Sequence, residues 1–357
     1  MADPAGVTPG SAPAAFFAQV GDAFRRAADA AGGVIEHWYD LLGRPAMVGG
    51  AGTALLAPLT GALAHRRCES APGPPALRLF VWDGRSTGVG LPGAPWGPTD
   101  YGAKGVIDGF NDERFSTVFA PGVDLFNMFD REAGVGFFWL EDASALPYWE
   151  RGFPLRTLLH WSTAGSGRQL VHSGGVGIGD DAVLLTGVGG SGKSTTTLAC
   201  LQAGMDYAGD DYVAFELASA PGGAPRLHSL YSSAKIDHAT LRRFPGLRPL
   251  VANADSDDEK ALLLLHPALG HRLASGQRIR AIALPRVTGR RDTRVVEASP
   301  VAAVRALAPT TVFQLPRLDR EAFARVVALS RSVPAYHLEL GTDRDRVPEA
   351  VAGLLAG

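Results

Sequence analysis

Apolar and polar residues are spaced differently in the two halves of the chain, and the pattern changes near residue 150. In the first half, Phe16–Ala31 has apolar residues at helical spacing, with Arg25 and Arg26 on the opposite side. Short apolar runs then predict four strands separated by turns: Leu77–Trp82, Ser116–Ala120, Val123–Phe129 and Val135–Leu140. We therefore expect a small α+β region in which the aromatic residues form the core.

In the second half, predicted strands and helices alternate. The strands are Gln169–His172, Ala182–Thr186, Tyr212–Leu217, Ile279–Leu284 and Thr293–Glu297. The helices are Leu155–Trp161, Thr195–Ala203, Val301–Ala308, Glu321–Leu329 and Val347–Leu355. Gly174–Gly179 is predicted as a turn, and the acidic run Asp255–Lys260 as the solvated start of a helix. The alternation is typical of a βαβ nucleotide-binding unit.

These patterns suggest three parts in the 357 residues. Residues 1–15 are rich in Ala, Pro, Gly and Ser and predict a flexible tail. Residues 16–150 form the α+β N-terminal domain, to which we assign no role. Residues 151–357 form the domain with alternating strands and helices, and two domains suit a chain of this length.

Composition excludes several classes of protein. The formal net charge of −2 argues against a dedicated nucleic-acid binder. Two cysteines, Cys68 and Cys200, cannot make a disulfide framework or a structural zinc site, and they fit a reducing compartment. The N-terminus does not look like a secretory signal, so we expect a cytoplasmic protein. Pro45–Ala64 has no charge over 20 residues, but its glycines and prolines predict a turn and a buried helix rather than a membrane span.

Lysine is scarce in this chain. Only four of the 34 basic residues are lysines, and the others are arginines. Because a lysine ammonium group is a compact point charge and an arginine guanidinium is a planar fork, each retained lysine is a candidate for a specific task. The four are Lys104, Lys193, Lys235 and Lys260.

One glycine-rich segment carries the clearest chemical signal. Residues 187–194 read GVGGSGKS and satisfy GxxxxGK[ST] between a predicted strand and a predicted helix. Such a loop binds phosphates, because its glycines turn backbone N–H groups inward and the helix N-terminus adds positive potential. We expect ATP here, with Lys193 on the β- and γ-phosphates and the Ser194 hydroxyl on Mg²⁺. The residues expected to contact the nucleotide are Gly187, Gly189, Gly190, Ser191, Gly192, Lys193, Ser194 and Thr195.

Two adjacent carboxylates follow this loop. Asp210 and Asp211 begin 17 residues after Lys193. One of them can anchor Mg²⁺, directly or through water, and the other can accept the proton of an attacking hydroxyl. His172 lies 21 residues before Lys193, and it would neighbour the phosphates if its strand ran beside the strand that precedes the loop. A buried structural histidine is the alternative.

These features together resemble the HPr serine kinase/phosphorylase family and its bacterial relatives. The family pattern reads here as LVHSGGVG, AVLLT, GVGGSGKS, TTTLACLQAG and MDYAGDDYV, within about residues 159–217. The resemblance implies an α/β fold, with a P-loop core like that of phosphoenolpyruvate carboxykinase and HPr kinase, preceded by the smaller α+β domain.

The resemblance also implies roles for five residues. Lys193 and the loop amides hold the nucleotide phosphates, while Ser194 and Asp211 help to bind Mg²⁺. Asp210 is the general base for a substrate hydroxyl, although the two aspartates could exchange roles, and His172 contacts the transferred phosphate or the base. Divergent serine-kinase-like relatives place Lys235, in SLYSSAKI, near the phosphate or the substrate. An ordinary surface lysine is the alternative.

Departures from the family pattern bear on the acceptor. Gly189 stands where the family has Ser, and Thr195 where it often has Glu. The downstream Leu-Glu-x-Arg-Gly-x-Gly run is absent, which argues against HPr as substrate and against the reverse reaction. The expected activity is Mg²⁺-dependent transfer of the γ-phosphate of ATP to a Ser of a peptide or protein, with a small-molecule hydroxyl as the alternative acceptor. Relatives of this core are often oligomers, which leaves a homo-oligomer open.

Two other classes compete with a kinase. Residues 273–277, LASGQ, imitate part of an ABC-type ATPase, but residues 293–300 lack the Asp of a Walker B strand and the Asp pair would be unexplained. A non-catalytic nucleotide-binding module would be favoured if the Asp pair faced away from the phosphates. Arg290 and Arg291 fit either a basic lid over the triphosphate or a solvated hairpin turn.

Overall fold

The computed structural model describes residues 11–356, apart from residues 221, 257, 258, 313, 318 and 319. The chain divides into two compact units. Unit 1 runs to Ser162 and includes Leu315–Arg317, and unit 2 holds Thr163–Gln314 and the chain from Leu318 onward. The division falls after residue 162 rather than at residue 150, because the helix that ends at Ser162 packs against the sheet of unit 1.

Unit 1 contains a seven-stranded mixed sheet in the order β3-β1-β2-β4-β7-β6-β5. Strands β2, β4 and β7 are parallel neighbours, and the other pairs are antiparallel. The strands are β1 (Val34–Leu41), β2 (Arg44–Ala51), β3 (Arg67–Cys68), β4 (Leu77–Asp83), β5 (Phe115–Ala120), β6 (Leu125–Asp130) and β7 (Val135–Leu140). The helices are α1 (Ala12–Ala30), α2 (Leu56–Thr60), α3 (Gly84–Thr87), α4 (Tyr148–Gly152) and α5 (Arg156–Ser162).

Helix α1 begins four residues earlier than the pattern predicts. The Ser11 hydroxyl accepts a hydrogen bond from the backbone N–H of Ala14, and Pro13 lies in the first turn, so this segment has the cap and the start of a helix. Residues 12–15 are therefore helical and are not part of a flexible tail, while residues 1–10 lie outside the described residues. The buried face of α1 packs its phenylalanines against the sheet, as in the contact of Phe24 with Phe80.

The uncharged stretch Pro45–Ala64 differs from its prediction in the first part. Its first residues belong to strand β2, and the predicted turn lies later, at residues 52–55, directly before the short buried helix α2. Within the residues that the structure describes, every helix is too short or too polar to cross a bilayer.

Unit 2 is built on a nine-stranded mixed sheet and a separate two-stranded sheet, β14–β15. The strands are β8 (Arg168–Val171), β9 (Gly174–Ile178), β10 (Asp181–Leu185), β11 (Asp206–Gly209), β12 (Val213–Glu216), β13 (Arg226–His228), β14 (Ser233–Ile236), β15 (Ala261–Leu264), β16 (Gln277–Val287), β17 (Arg294–Ala298) and β18 (Ala335–Leu340). The helices are α6 (Lys193–Gln202), α7 (His238–Leu241), α8 (Pro300–Val312), α9 (Arg320–Ser332) and α10 (Arg346–Gly353).

The long strand β16 organises the larger sheet. It pairs in parallel with β10 along one edge and with β18 along the last part of the other edge. Strands β10, β16 and β18 therefore end at the same edge of the sheet, and the glycine-rich loop follows β10 there. The predicted α/β class is confirmed at the level of mixed sheets combined with helices.

Several local predictions are wrong. The glycine-rich segment 174–178 is strand β9, which lies between β10 and β11, and not a turn. Its glycines make room for close neighbours: a Cβ on Gly174 would come within 2.6 Å of Thr197 Cγ2 in α6, and one on Gly175 within 2.5 Å of Leu227 Cδ2. Strand β8 pairs with β12 and not with the strand that precedes the loop, so the neighbour relation assumed for His172 is absent. The strand that runs parallel to β10 after α6 is β11, with β9 between them.

The acidic run that ends at Lys260 is also different from its prediction. Its described residues form turns and extended chain and lead into strand β15, so no helix begins there. The LASGQ segment likewise leads into a strand, β16. The Gln277 side chain, with its amide nitrogen 2.7 Å from the Gly179 carbonyl oxygen, ties two strand ends together.

Candidate active site

The loop between β10 and α6 surrounds a buried lysine. Lys193 is only 6% exposed, and its Nζ donates to the carbonyl oxygens of Gly187 at 2.7 Å and Val188 at 3.3 Å. Burial lowers the pKa of Lys193, while the charges of Asp211 and Asp210 oppose that change. The ammonium group is thus held inside the loop by backbone oxygens, beside a pair of carboxylates.

The geometry of the loop requires glycine at its junction with α6. Gly192 caps the helix with φ +104°, in the left-handed region, and a Cβ there would lie 2.4 Å from Leu340 Cδ1. Since Leu340 ends strand β18, this contact fixes the loop against the edge where the three parallel strands end.

The remaining loop residues leave polar groups available. A Cβ on Gly189 or Gly190 would meet no described atom within 4 Å, so this part of the loop is uncrowded. Ser191 Oγ is buried and has no hydrogen-bond partner among the described atoms. Ser194 and Thr195, in the first turn of α6, are half-buried. The loop therefore offers backbone and hydroxyl groups to a ligand as expected for a phosphate site.

Asp210 is a fully buried carboxylate, and neither of its oxygens has a hydrogen-bond partner among the residues that the structure describes. Burial and the charge of Asp211 raise its pKa. The nearby Ser194 hydroxyl, Lys193 and Lys235 oppose the rise, although Ser194 does not reach full hydrogen-bond geometry. An unpaired buried carboxylate is costly, and such groups cluster at functional sites.

Asp211 has the opposite environment. Its backbone has φ +63°, which Asp tolerates better than most residues, and its side chain turns toward His172 and Lys235. Oδ1 lies 3.3 Å from His172 Nε2, and Oδ2 lies 3.0 Å from Lys235 Nζ. Burial would raise the pKa of Asp211, but the hydrogen bond from His172 and the charge of Lys235 hold it well below its usual range.

Two tyrosines that the sequence reasoning did not select frame this pair. The Tyr212 ring packs edge-on against the imidazole of His172, with 5.3 Å between the centroids. The Tyr207 hydroxyl donates to the Ser233 carbonyl oxygen at 2.7 Å, and burial raises the pKa of this phenol. The segment YAGDDY could have indicated these two tyrosines, because it places an aromatic residue on each side of the carboxylates.

The two arginines considered as a lid belong to the connection between β16 and β17. Arg290 pairs with Glu339 at 3.0 Å, and Arg286 pairs with the other oxygen of the same carboxylate. The Arg291 carbonyl oxygen accepts from the N–H of Asp343 at 3.0 Å. These bonds fix the connection to the end of β18, and they support the turn interpretation over the lid.

The structure places three of the five predicted catalytic residues, His172, Asp211 and Lys235, in direct contact, and the charges of Lys193 and Asp210 act on each other. Lys193 and Asp210 face the loop, and Asp211 joins His172 to Lys235. A cation-lined phosphate loop beside a bare carboxylate can bind an anionic ligand and accept a proton from a group next to it.

Comparison with known proteins adds one distant resemblance. No protein-family profile matches the chain, and no curated protein matches it by sequence. One solved structure that matches is the HPr(Ser) kinase/phosphatase from Coxiella burnetii. It is 10% identical, the match covers 53% of this chain and 94% of that chain, and the TM-score is 0.28. A match at this identity and TM-score supports no inference about activity.

Proposed function

We propose that this protein is a Mg²⁺-dependent kinase that transfers the γ-phosphate of ATP to a hydroxyl, with a Ser of a peptide or protein as the acceptor. The observation that carries the proposal is the bare, buried carboxylate of Asp210 next to the phosphate loop that holds Lys193. We further propose that the core is of the phosphoenolpyruvate-carboxykinase-like kind and that the protein works in the cytoplasm.

Asp210 is the general base in this proposal. An acceptor hydroxyl would replace the missing hydrogen-bond partner of a carboxylate oxygen, and that oxygen would take the proton as the hydroxyl oxygen attacks the γ-phosphorus and the bond to ADP breaks. The raised pKa of Asp210 suits a base that works near neutral pH better than an ordinary aspartate does.

The oxygen groups beside the loop fit Mg²⁺. The half-buried Ser194 hydroxyl, in the first turn of α6, is a hard donor of the kind that this ion takes, together with nucleotide phosphates and water. Mg²⁺ would neutralise phosphate charge there. Each oxygen of Asp211 already contacts a side-chain nitrogen, of His172 or of Lys235, so we assign Asp211 to positioning and not to direct metal binding.

Lys235 supplies positive charge close to the reacting groups, and His172 supplies an imidazole nitrogen. Asp211 orients both side chains, since it binds each through a separate oxygen. Because transfer of a phosphoryl group depends mainly on positioning and charge neutralisation, this arrangement suits the proposed reaction. It disfavours a non-catalytic module, which needs no buried bare carboxylate at the phosphates.

The experiment compares the protein with its Asp210→Asn and Asp211→Asn variants. Mg·ATP binding is measured by calorimetry, and ³²P transfer from γ-labelled ATP is measured on a Ser-containing peptide library and a panel of hydroxylated metabolites. We expect Asp210→Asn to keep nucleotide binding and to lose transfer by at least about 100-fold. Labelling of metabolites alone would move the acceptor class to small molecules. Unchanged transfer in both variants would contradict the kinase proposal.

A further inference from the structure

The two-stranded sheet β14–β15 presents a second lysine next to Lys235. The register pairs Ile236 with Ala261 and Lys235 with Leu262. Continued by one residue, it places Lys260 opposite Asp237, on the face that carries Lys235. The opposite face, with Ile236 and Ala261, is buried in a core shared with α6. Lys260 thus lies on the same face of the sheet as Lys235, whose side chain contacts Asp211.

The backbone that carries Lys260 is anchored on both sides. His238 Nε2 lies 2.8 Å from the carbonyl oxygen of Glu259, within hydrogen-bond distance. The Asn253 side chain donates to the Lys260 carbonyl oxygen at 2.9 Å and accepts from the N–H of Leu262 at 2.7 Å. Three side-chain hydrogen bonds within four residues fix this short segment of backbone, so the point from which the Lys260 side chain extends is fixed.

The side chain itself is exposed, and it forms no ion pair with the residues that the structure describes. The register places Lys260 diagonally across the two-stranded sheet from Lys235, so the two ammonium groups are carried on one face by neighbouring strands. Two ammonium groups near enough to repel each other favour an anion between them. Most basic residues of this chain are arginines, so a lysine at this position is a candidate for a specific role.

We propose that Lys260 binds phosphate or carboxylate oxygens at the mouth of the site and thereby determines which ligands it accepts. The proposal rests on the proposed function, because it takes the phosphate loop as the nucleotide site. Two sources can supply this chemistry: the γ-phosphate of ATP, or an acidic group on the acceptor next to the hydroxyl.

The test measures dissociation constants by calorimetry for Mg·ATP, for Mg·ADP, and for inorganic phosphate added to the ADP-loaded protein. The variants are Lys260→Ala and Lys260→Arg, with Arg305→Ala as the control. Arg305 is an exposed cation on α8 in the same unit, so its removal lowers the net charge equally. If Lys260 contacts the γ-phosphate, Lys260→Ala raises the dissociation constant of Mg·ATP roughly tenfold or more and leaves that of Mg·ADP unchanged.

If Lys260 instead contacts an acidic group of the acceptor, Lys260→Ala leaves the dissociation constants of both nucleotides unchanged. It then weakens the binding of phosphate to the ADP-loaded protein by a similar factor. In either case Lys260→Arg retains part of the affinity. The proposal is overturned if Lys260→Ala changes none of the three constants, or changes them no more than Arg305→Ala does. Failure of the wild-type protein to bind any nucleotide would overturn the proposed function and the role of Lys260 with it.

Discussion

Lys235 Nζ lies 3.0 Å from Oδ2 of Asp211, and this ion pair links the β14–β15 sheet to the chain that follows β11. Because His172 occupies the other oxygen, Asp211 is fully paired. Its neighbour Asp210 is fully buried and bare. Two consecutive carboxylates thus have opposite environments, and this difference separates the positioning residue from the proposed base.

Asparagine substitutions at the two aspartates should change stability in opposite directions. Asp210→Asn removes an uncompensated buried charge and should raise the free energy of unfolding by on the order of 1–3 kcal/mol at pH 8. Asp211→Asn removes the charge that pairs with His172 and Lys235 and should lower it by about 1.5–3 kcal/mol. Urea denaturation of both variants measures this, and a loss of stability in Asp210→Asn would show that this carboxylate has a structural partner.

The stability gained by Asp210→Asn should depend on pH. The pKa of Asp210 is raised from 3.8 to about 7 by burial and by Asp211, so between these values the folded state binds more protons than the unfolded chain. The free energy of unfolding of the wild-type protein should therefore fall as pH rises through this window. The advantage of Asp210→Asn should grow from pH 5 to pH 8 and then level off. Denaturation curves across that range measure it, and a difference independent of pH would contradict the shift.

The ion pair itself can be measured by a double-mutant cycle. Lys235→Met should destabilise the protein because it leaves a buried oxygen of Asp211 unpaired, whereas the same change in an Asp211→Asn background should cost much less. The expected coupling energy is roughly 1–3 kcal/mol. Additive effects in the denaturation curves would mean that the contact contributes nothing to stability.

Tyr212 should affect transfer through its ring and not through its hydroxyl. The ring packs against His172, so Tyr212→Phe should preserve the position of the imidazole and Tyr212→Leu should loosen it. We expect Tyr212→Leu to lower the transfer rate by roughly tenfold with unchanged Mg·ATP affinity, because misplacement of a catalytic group affects the rate. Steady-state kinetics of both variants test this, and equal losses would assign the effect to the hydroxyl.

Lys193→Arg tests whether the loop requires a compact cation. Lys193 is buried and donates to two loop carbonyl oxygens, and the planar guanidinium does not match that space. We expect the variant to fold and to bind Mg·ATP at least about tenfold more weakly than the wild-type protein. Calorimetry measures the affinity, and circular dichroism provides the control for folding. Retained affinity would show that charge alone is sufficient.

The sequence predicted the features that depend on residues close to one another along the chain. The loop around Lys193 and the helix after it follow from a short motif whose residues act within a few positions of one another. Asp210 and Asp211 were selected for their distance from that motif, but sequence could not separate their roles. Their difference depends on His172 and Lys235, which reach Asp211 through tertiary structure.

Other features were missed because the local signal pointed elsewhere. Strand β9 has no alternation of side chains, since its glycines make room for α6 and for neighbouring side chains such as Leu227, and its composition indicated a turn. The acidic residues before Lys260 suggested a helix start, although pairing with β14 holds the following residues in a strand. In each case a contact with a distant segment outweighed the local preference.

The placement of the lysines has a practical chemical consequence. Three of the four lysines, at positions 193, 235 and 260, lie in unit 2, where we propose the site and its mouth, and Lys104 lies in unit 1. Amine-selective reagents and lysine acetylation therefore have few other side-chain targets in this protein. Mass spectrometry of the modified lysines, with and without nucleotide, would report whether the site is occupied.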